Sequence, residues 1–268
     1  MEITLPLDKL CLPSITNGEK IYVVLVATGS FNPPTLMHLR MFELARDALN
    51  SNGFCVIGGY MSPVNDAYKK KVIICAYLVM QGLIAADHRI ELCNLACKSS
   101  DFIMVDPWEY DLPFKVLFFF SHSHLQAKQS SFQRSLTVLN RVKSFLSEGG
   151  LIPKESLKVM LVCGSDLVQS FSIPGFWIPE QVRSICKDYG VVCIRREGQD
   201  LEKIIKNDEI LNENRDNIRI VDELVPNQIS STRLRECISR GWSIKYLTVD
   251  EVIEYIKKQN LYLKPNEK

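Results

Sequence analysis

Two stretches of the chain bring together residue types that do chemistry on phosphate groups. The first is Gly29-Ser30-Phe31-Asn32-Pro33-Pro34-Thr35-Leu36-Met37-His38. Gly29 lets the backbone approach a ligand closely. Pro34 keeps a helix from starting early, and Thr35 is suited to cap one that begins just after it. The free N–H groups of that helix start, together with the positive end of its dipole, attract an anion. His38, in the first turn, can aim its imidazole at the same place. The second stretch is Ile229-Ser230-Ser231-Thr232-Arg233-Leu234-Arg235, which also reads as the opening of a helix. Here hydroxyls and free N–H groups sit beside two guanidinium groups, and Arg235 offers forked donors to phosphate oxygens. Each stretch also has an ordinary structural explanation: a capped strand-to-helix turn for the first, a Ser-capped amphipathic helix with solvated arginines for the second. Two anion-friendly helix starts in one chain suit a polyphosphate.

These residues need a framework that delivers them to one place. Residues 21–28, IYVVLVAT, form a continuous β-branched apolar run that reads as a strand buried on both faces, as in a parallel sheet. A helical pattern follows, with Leu39, Phe42, Ala45 and Leu49 on one face. Further strands are expected over 54–61, 102–105, 158–163, 191–194 and 218–221. Further helices are expected over 87–96, 131–146 and 180–189, with Gly190 as a C-cap, and two more begin near Ser231 and Thr248. The alternation predicts an α/β fold with a doubly wound, mostly parallel sheet and helices on both faces. Ligands in such folds bind at the carboxyl ends of the strands, near the switch in strand order. Nothing in the chain splits it. The reading is one domain over 21–263, after an N-terminal extension (1–20) and before a short tail (264–268).

Bulk properties narrow the function. The 268 residues are 46% hydrophobic and 24% charged, with a net charge of +1. A nucleic-acid binder working by phosphate neutralisation is usually far more basic, so no nucleic-acid partner is expected. Small anionic ligands need only a local positive cluster. The nine cysteines form no CxxC pair and no Cys/His spacing of a zinc site, so reduced, mostly buried thiols and an intracellular setting, cytoplasmic or nuclear, are expected. The first residues lack the basic and apolar regions of a secretory signal. No apolar run reaches the roughly 20 residues of a membrane span, so no membrane partner is expected. A homo-oligomer is left open.

The paired stretches resemble the signatures of the nicotinamide-mononucleotide adenylyltransferases, within the nucleotidyltransferase superfamily and its Thr/His-x-x-His phosphate motif. The resemblance extends through SPVNDAYKKK (62–71), HR (88–89), VDPWE (105–109), CGSD (163–166), the Trp177 segment, CIRREG (193–198) and the tail over 217–262. It is similar to eukaryotic, plant-like members. The resemblance implies a Rossmann-like nucleotidyltransferase fold and transfer of AMP from ATP to nicotinamide mononucleotide (NMN), or to nicotinic acid mononucleotide, giving NAD or its deamido form and pyrophosphate. It implies Mg²⁺ carried mostly by the triphosphate and water. It assigns Gly29, Ser30 and Phe31 to close contact with the nucleotide, His38 and Arg235 to the reacting phosphates, and Thr232, Arg233 and Leu234 to the triphosphate end, with Ser231 capping the helix. Gly164 and Asp166 fall to the ATP side, Asp166 suiting a ribose hydroxyl, though it also reads as the N-cap of a following helix. Trp108 and Trp177 match the family's pyridine-stacking positions, with core packing as the other reading. Phe176, Arg196 and Asn227 match positions near the ligand. Lys69, Lys70 and Lys71 read either as a phosphate-attracting cluster or as a solvated basic run.

Two apolar segments depart from the family pattern. Residues 72–81 (VIICAYLVMQ) interrupt the expected step from KKK to GLI, and residues 110–126, including VLFFF, follow the WE pair. Both end in Gln, whose codon CAG is a usual splice-acceptor end, and Phe-Phe-Phe-Ser is what a pyrimidine-rich tract encodes. They read either as translated intron ends or as genuine inserts offering an apolar contact surface. Two other functions stay open on the sequence: a transferase of the same superfamily acting on another substrate such as pantetheine phosphate, and a non-catalytic nucleotide-bound scaffold. The aromatic VDPWE and Trp177 segments oppose the first, and the intact His38 and Arg235 oppose the second.

Overall fold

The computed structural model describes residues 4–12, 20–66, 83–108, 134–225 and 227–263. The segments 72–81 and 110–126, and Lys69, Lys70 and Lys71, lie outside them.

In chain order the described elements are β1 (Tyr22–Gly29), α1 (Leu36–Ser51), β2 (Cys55–Pro63), α2 (Ala86–Cys97), β3 (Ile103–Val105), α3 (Arg134–Glu148), β4 (Leu157–Gly164), α4 (Ser165–Phe171), α5 (Pro179–Ser184), β5 (Val191–Ile194), α6 (Leu201–Asn207), α7 (Glu209–Glu213), β6 (Ile218–Val221), α8 (Ser231–Ser239) and α9 (Asp250–Lys258). The six strands form one sheet in the order β3-β2-β1-β4-β5-β6, and every pairing is parallel. The order reverses between β1 and β4, so the carboxyl ends of these two neighbours define the crevice where such sheets bind ligands.

Alternation along the strands sorts their side chains between two cores. Val23, Leu25 and Ala27 of β1 join Met160 and Val162 of β4 under α1 and α2. Val24 and Val26 join Val159 and Leu161 under α3, α4 and the 180–189 helix. A third apolar cluster binds α8 and α9 to α2 through Leu92, Ala96, Leu234, Val252 and Ile256. That cluster anchors the C-terminal helices beside the end of the sheet that carries the first loop. Residues 4–12 also lie on the sheet: Leu5 is buried, and Tyr60 donates its hydroxyl to the Pro6 carbonyl at 2.7 Å.

The sequence expectations meet the structure closely, with informative differences. The helix over 180–189 ends in a wider π-type turn (Ile185–Tyr189), closed where the Gly190 N–H reaches the Ile185 carbonyl at 2.8 Å. Gly190 has φ +92°, the conformation that favours glycine after a helix. Residues 201–213, for which no element is expected, form the short helices α6 and α7. Asp200 and Asp208 cap them by accepting from the Lys203 and Leu211 amides. All eight cysteines among the described residues are free thiols, and five are buried.

Gly58 and Gly59 let both layers close onto β2. A Cβ on Gly59 would sit 2.7 Å from the ring of the buried Phe42 in α1, and one on Gly58 would sit 2.3 Å from Leu10. Gly59→Ala should therefore lower stability by about 1–3 kcal/mol through overpacking. A urea-unfolding midpoint equal to that of the parent chain would contradict this packing.

Candidate active site

The loop from Ser30 to Thr35 joins β1 to α1 at the switch point. It is held by an unusual concentration of bonds to its carbonyls. The Gly29 carbonyl accepts from the Val64 amide at 2.9 Å. The Ser30 carbonyl accepts from Arg89 at 3.1 Å, and the Asn32 carbonyl from Arg235 at 2.6 Å. The Pro33 carbonyl accepts from the Ser231 hydroxyl at 2.7 Å, and the Pro34 carbonyl from the Thr248 hydroxyl at 2.9 Å. The Leu36 amide at the helix start donates to the Leu247 carbonyl at 3.0 Å. With the Ser30, Asn32, Pro33 and Pro34 acceptors taken, the loop can offer donors to a ligand. The amides of Ser30 and Phe31 have no partner among the described residues. Phe31 has φ +44°, an uncommon conformation for a bulky residue, and its buried ring lies edge-on to His38 at 5.3 Å. The Asn32–Pro33 peptide is cis.

Thr35 caps α1 as expected, in a reciprocal arrangement with His38. The His38 amide faces the Thr35 hydroxyl at 3.4 Å, while the Thr35 amide donates to His38 Nδ1 at 3.0 Å. An amide N–H can only donate, so this bond assigns Nδ1 as acceptor and the ring proton to Nε2. Burial of the imidazole, with a smaller push from the Arg196 guanidinium, lowers the His38 pKa to about 4. His38 is thus a neutral ring at neutral pH, with Nε2–H as its donor.

The loop and this histidine form one wall of a cleft of about 260 Å³. Its other lining residues include Thr28, Met41, Val162, Cys163, Gly164, Asp166, Leu167, Arg196 and Ile229. Asp166 is the one carboxylate in the lining among the described residues, and it is paired with Arg196 at 2.6 Å. Gln199 also donates to Asp166, at 3.2 Å. Asp166 is not an N-cap: Gly164 occupies that position, and Asp166 stands in the first turn of α4, where a negative charge suits the helix dipole.

Apart from Ile229, the second stretch lies behind the loop rather than in the cleft lining. Ser230, not Ser231, caps α8, its side chain accepting from the Arg233 amide. Ser231 is one residue inside the helix, which frees its hydroxyl for the Pro33 carbonyl. Arg233 turns to Gln228 at 2.8 Å, and Leu234 is wholly buried in the C-terminal cluster, so only its backbone could face a ligand. Arg235 puts one nitrogen on the Asn32 carbonyl and another 3.4 Å from the Thr232 hydroxyl; burial lowers its pKa.

The aromatic candidates are outside the cleft lining. Trp108 packs against the core beneath Arg141, whose guanidinium lies 5.0 Å from the indole. Arg141 also grips the buried Asp106 carboxylate with two bonds of 2.9 and 2.8 Å, and Asp106 accepts from the Trp108 amide at 3.3 Å. Trp177 donates to the Ser170 hydroxyl at 2.9 Å and meets Phe171 edge-on, while Phe176 is 43% exposed. Asn227 lines an adjoining groove that shares Met37 and Ile229 with the cleft.

Several residues at this site receive no role from the sequence, although Arg89 and Tyr262 fall within segments of the family resemblance. Thr28 and Ser135 join β1 to α3 through their hydroxyls at 2.7 Å. Arg89 is wholly buried and donates to the carbonyls of Ser30, Val64 and Ile84 and to Asp66. Thr248 and Tyr262 reach the loop from more than 200 positions away. Each depends on contacts that only the folded chain creates.

Comparison with known proteins then bears on the site. A cytidylyltransferase-like family model matches residues 26–237. The nicotinamide/nicotinic acid mononucleotide adenylyltransferase of Arabidopsis thaliana is 62% identical, with 98% of both chains covered. That of Oryza sativa subsp. japonica is 58% identical over 98% of this chain and 95% of the relative. A Bos taurus relative, nicotinamide/nicotinic acid mononucleotide adenylyltransferase 1, is 41% identical over 94% of this chain and 92% of its own. Among solved structures, Plasmodium falciparum nicotinic acid mononucleotide adenylyltransferase complexed with APC shares the fold, with a TM-score of 0.53 at 18% identity over 90% of this chain and 96% of that one.

The depressed pKa of His38 sets a pH dependence. The unfolded chain takes up the proton near 6.5 and the folded chain only near 4. Stability from this group is therefore complete above pH 6.5 and is lost as the pH falls toward 4. Between pH 7 and pH 4.5 the parent chain should lose more stability than His38→Gln, read from urea midpoints. Equal losses would contradict a neutral, desolvated ring.

Proposed function

The chain belongs to the nicotinamide/nicotinic acid mononucleotide adenylyltransferases, and on that premise we propose that it transfers the AMP part of ATP to NMN, and to nicotinic acid mononucleotide, in NAD biosynthesis. A phosphate oxygen of the mononucleotide attacks the α-phosphorus of ATP in line. The new P–O bond forms as the bond to the bridging oxygen of the β-phosphate breaks, and pyrophosphate leaves. No covalent enzyme intermediate is required. The protein's work is alignment and charge stabilisation.

The observation that carries this reading is the Ser30–Thr35 loop, whose Ser30, Asn32, Pro33 and Pro34 carbonyls are bonded to side chains outside the lining of the cleft at the switch point. Such a loop, at the start of α1, is built to receive anionic oxygens. In the proposed roles Gly29, Ser30 and Phe31 bring backbone to the phosphates. His38 donates from Nε2 to the oxygens on which charge develops, as a hydrogen-bond donor that does not change protonation. Arg235 has donor capacity beyond its bond to Asn32, and with Thr232 it meets the triphosphate end. Asp166 accepts from ribose hydroxyls, and Arg196 pairs with it at the same cleft wall. Trp108, supported by the Asp106–Arg141 pair, stands with Trp177, Phe176 and Asn227 on the mononucleotide side.

Mg²⁺ fits as a companion of the nucleotide. The one carboxylate lining the cleft among the described residues, Asp166, is already paired with Arg196. The ion's ligands are then triphosphate oxygens and water, the arrangement it favours over an all-protein cage. When bound it neutralises triphosphate charge, and the chain's own residues orient the complex.

The test is NAD formation from ATP, NMN and Mg²⁺ by the purified full chain, followed by chromatography. The parent chain should make NAD and pyrophosphate in equal amounts, and His38→Ala should remain folded while losing about 10²–10³-fold in kcat, the usual effect of removing a positioned donor. A folded parent chain that makes no NAD overturns the reading. A shortened version lacking 72–81 and 110–126 shows whether those segments affect turnover.

A further inference from the structure

Among the described residues, the side chains that hold the loop from behind are Arg89 of α2, Ser231 and Arg235 of α8, Thr248 just before α9, and Tyr262. Of these contacts, Tyr262 has the longest reach, since 230 positions separate it from its partner Asn32. We infer that Tyr262 is a positioning residue for the ATP side of the reaction: its phenol holds the Asn32 side chain, and through it the loop segment that Arg235 grips. This rests on the reading of the loop as the nucleotide-phosphate cradle.

The geometry supports each step. The Tyr262 hydroxyl lies 2.8 Å from Asn32 Oδ1. The Ile84 amide faces the same atom at 3.4 Å and can only donate, so that atom is the amide oxygen. The phenol must then be the donor toward it. Burial raises the Tyr262 pKa, which keeps the proton in place. The phenol also lies within electrostatic reach of Arg235 and Arg89. These guanidinium groups hold the Asn32 and Ser30 carbonyls. Asn32 is thus gripped twice from the C-terminal part of the chain, by Arg235 at its carbonyl and by Tyr262 at its side chain.

The backbone that delivers Tyr262 is itself constrained. Asn260 has φ +51° and Tyr262 φ +64°, and a left-handed conformation is uncommon for tyrosine. Such conformations persist when their surroundings over-determine them. Here the surroundings are the burial of Leu261 among α2, α8 and α9, and the hydrogen bond to Asn32. Leu261 is buried in the C-terminal cluster, and the Tyr262 ring packs against it. The phenol's reach to the loop is the part that concerns function.

The conservative test is Tyr262→Phe, which keeps the ring and removes only the hydroxyl. In the full chain, kcat/KM for ATP should fall about 5- to 10-fold, the scale of one buried hydrogen bond. KM for NMN should stay unchanged, and the thermal midpoint should stay close to that of the parent. In an Asn32→Ala background the same substitution should have no further effect. ATP affinity, measured by calorimetry without the second substrate, should weaken by the same factor. A Tyr262→Phe chain within twofold of the parent for ATP, an equal loss toward both substrates, or an undiminished loss in the Asn32→Ala background would each overturn the inference. The calorimetric reading requires no turnover: a parent chain that makes no NAD fails the proposed function, while unchanged ATP affinity in Tyr262→Phe fails this inference.

Discussion

An anion can bind to backbone only where N–H groups face it and carbonyls do not. Satisfying the loop's carbonyls is the constraint on which the rest of this structure depends. Every peptide unit carries both groups, so a loop that offers donors on one side must find hydrogen-bond partners for its acceptors on the other. Here the acceptors of Ser30, Asn32, Pro33 and Pro34 are met by Arg89, Arg235, Ser231 and Thr248. Two prolines reduce the problem further, since they have no N–H to misdirect. The remaining architecture follows from having to bring those side chains to one point. The parallel sheet sets the loop at its switch point, α2 supplies Arg89, and the third apolar cluster fastens α8 and α9 where their side chains reach.

The same arrangement governs the electrostatics. Arg89 is a fully buried cation with one carboxylate partner, Asp66, and three carbonyl partners. Buried charge is costly unless it is well bonded, and Arg89 turns that requirement into loop geometry. Asp66 extends the network, since its second oxygen accepts from the Ala86 amide at the start of α2, where Ala85 provides no side-chain cap. On the cleft side, His38 is neutral and Asp166 is paired with Arg196. A nucleotide bound in the cleft as proposed would meet donors already in place, the condition under which electrostatic stabilisation costs least reorganisation.

Much of this was legible from residue types and spacing. The apolar run of β1, the cap at Thr35 and the place of His38 in the first helical turn all follow from local rules, and the structure keeps them. The strand-helix alternation is enough to require a doubly wound sheet. Local rules failed where neighbours compete for one role. In Ser230-Ser231 either hydroxyl can cap, and tertiary contact decides: Ser231 is needed by Pro33, so Ser230 takes the cap. Asp166 resembles a cap because it comes just after a strand end, yet Gly164 is the cap and the helix already begins at Ser165. Leu234 belongs to the ISSTRLR motif by position, but helical periodicity turns it into the core.

The sequence by itself determined the fold class and the two helix starts suited to phosphate, because these depend on periodicity, caps and short-range geometry. It also carried a family likeness that the relatives bear out. Only the tertiary structure decided how the loop is held: which side chains meet its carbonyls, that Arg89 is wholly buried, that Asp106 and Arg141 support Trp108, and that Tyr262 closes on Asn32. A hydrogen bond between residues 230 positions apart has no local pattern. It exists only once the sheet, α2 and the C-terminal helices have packed.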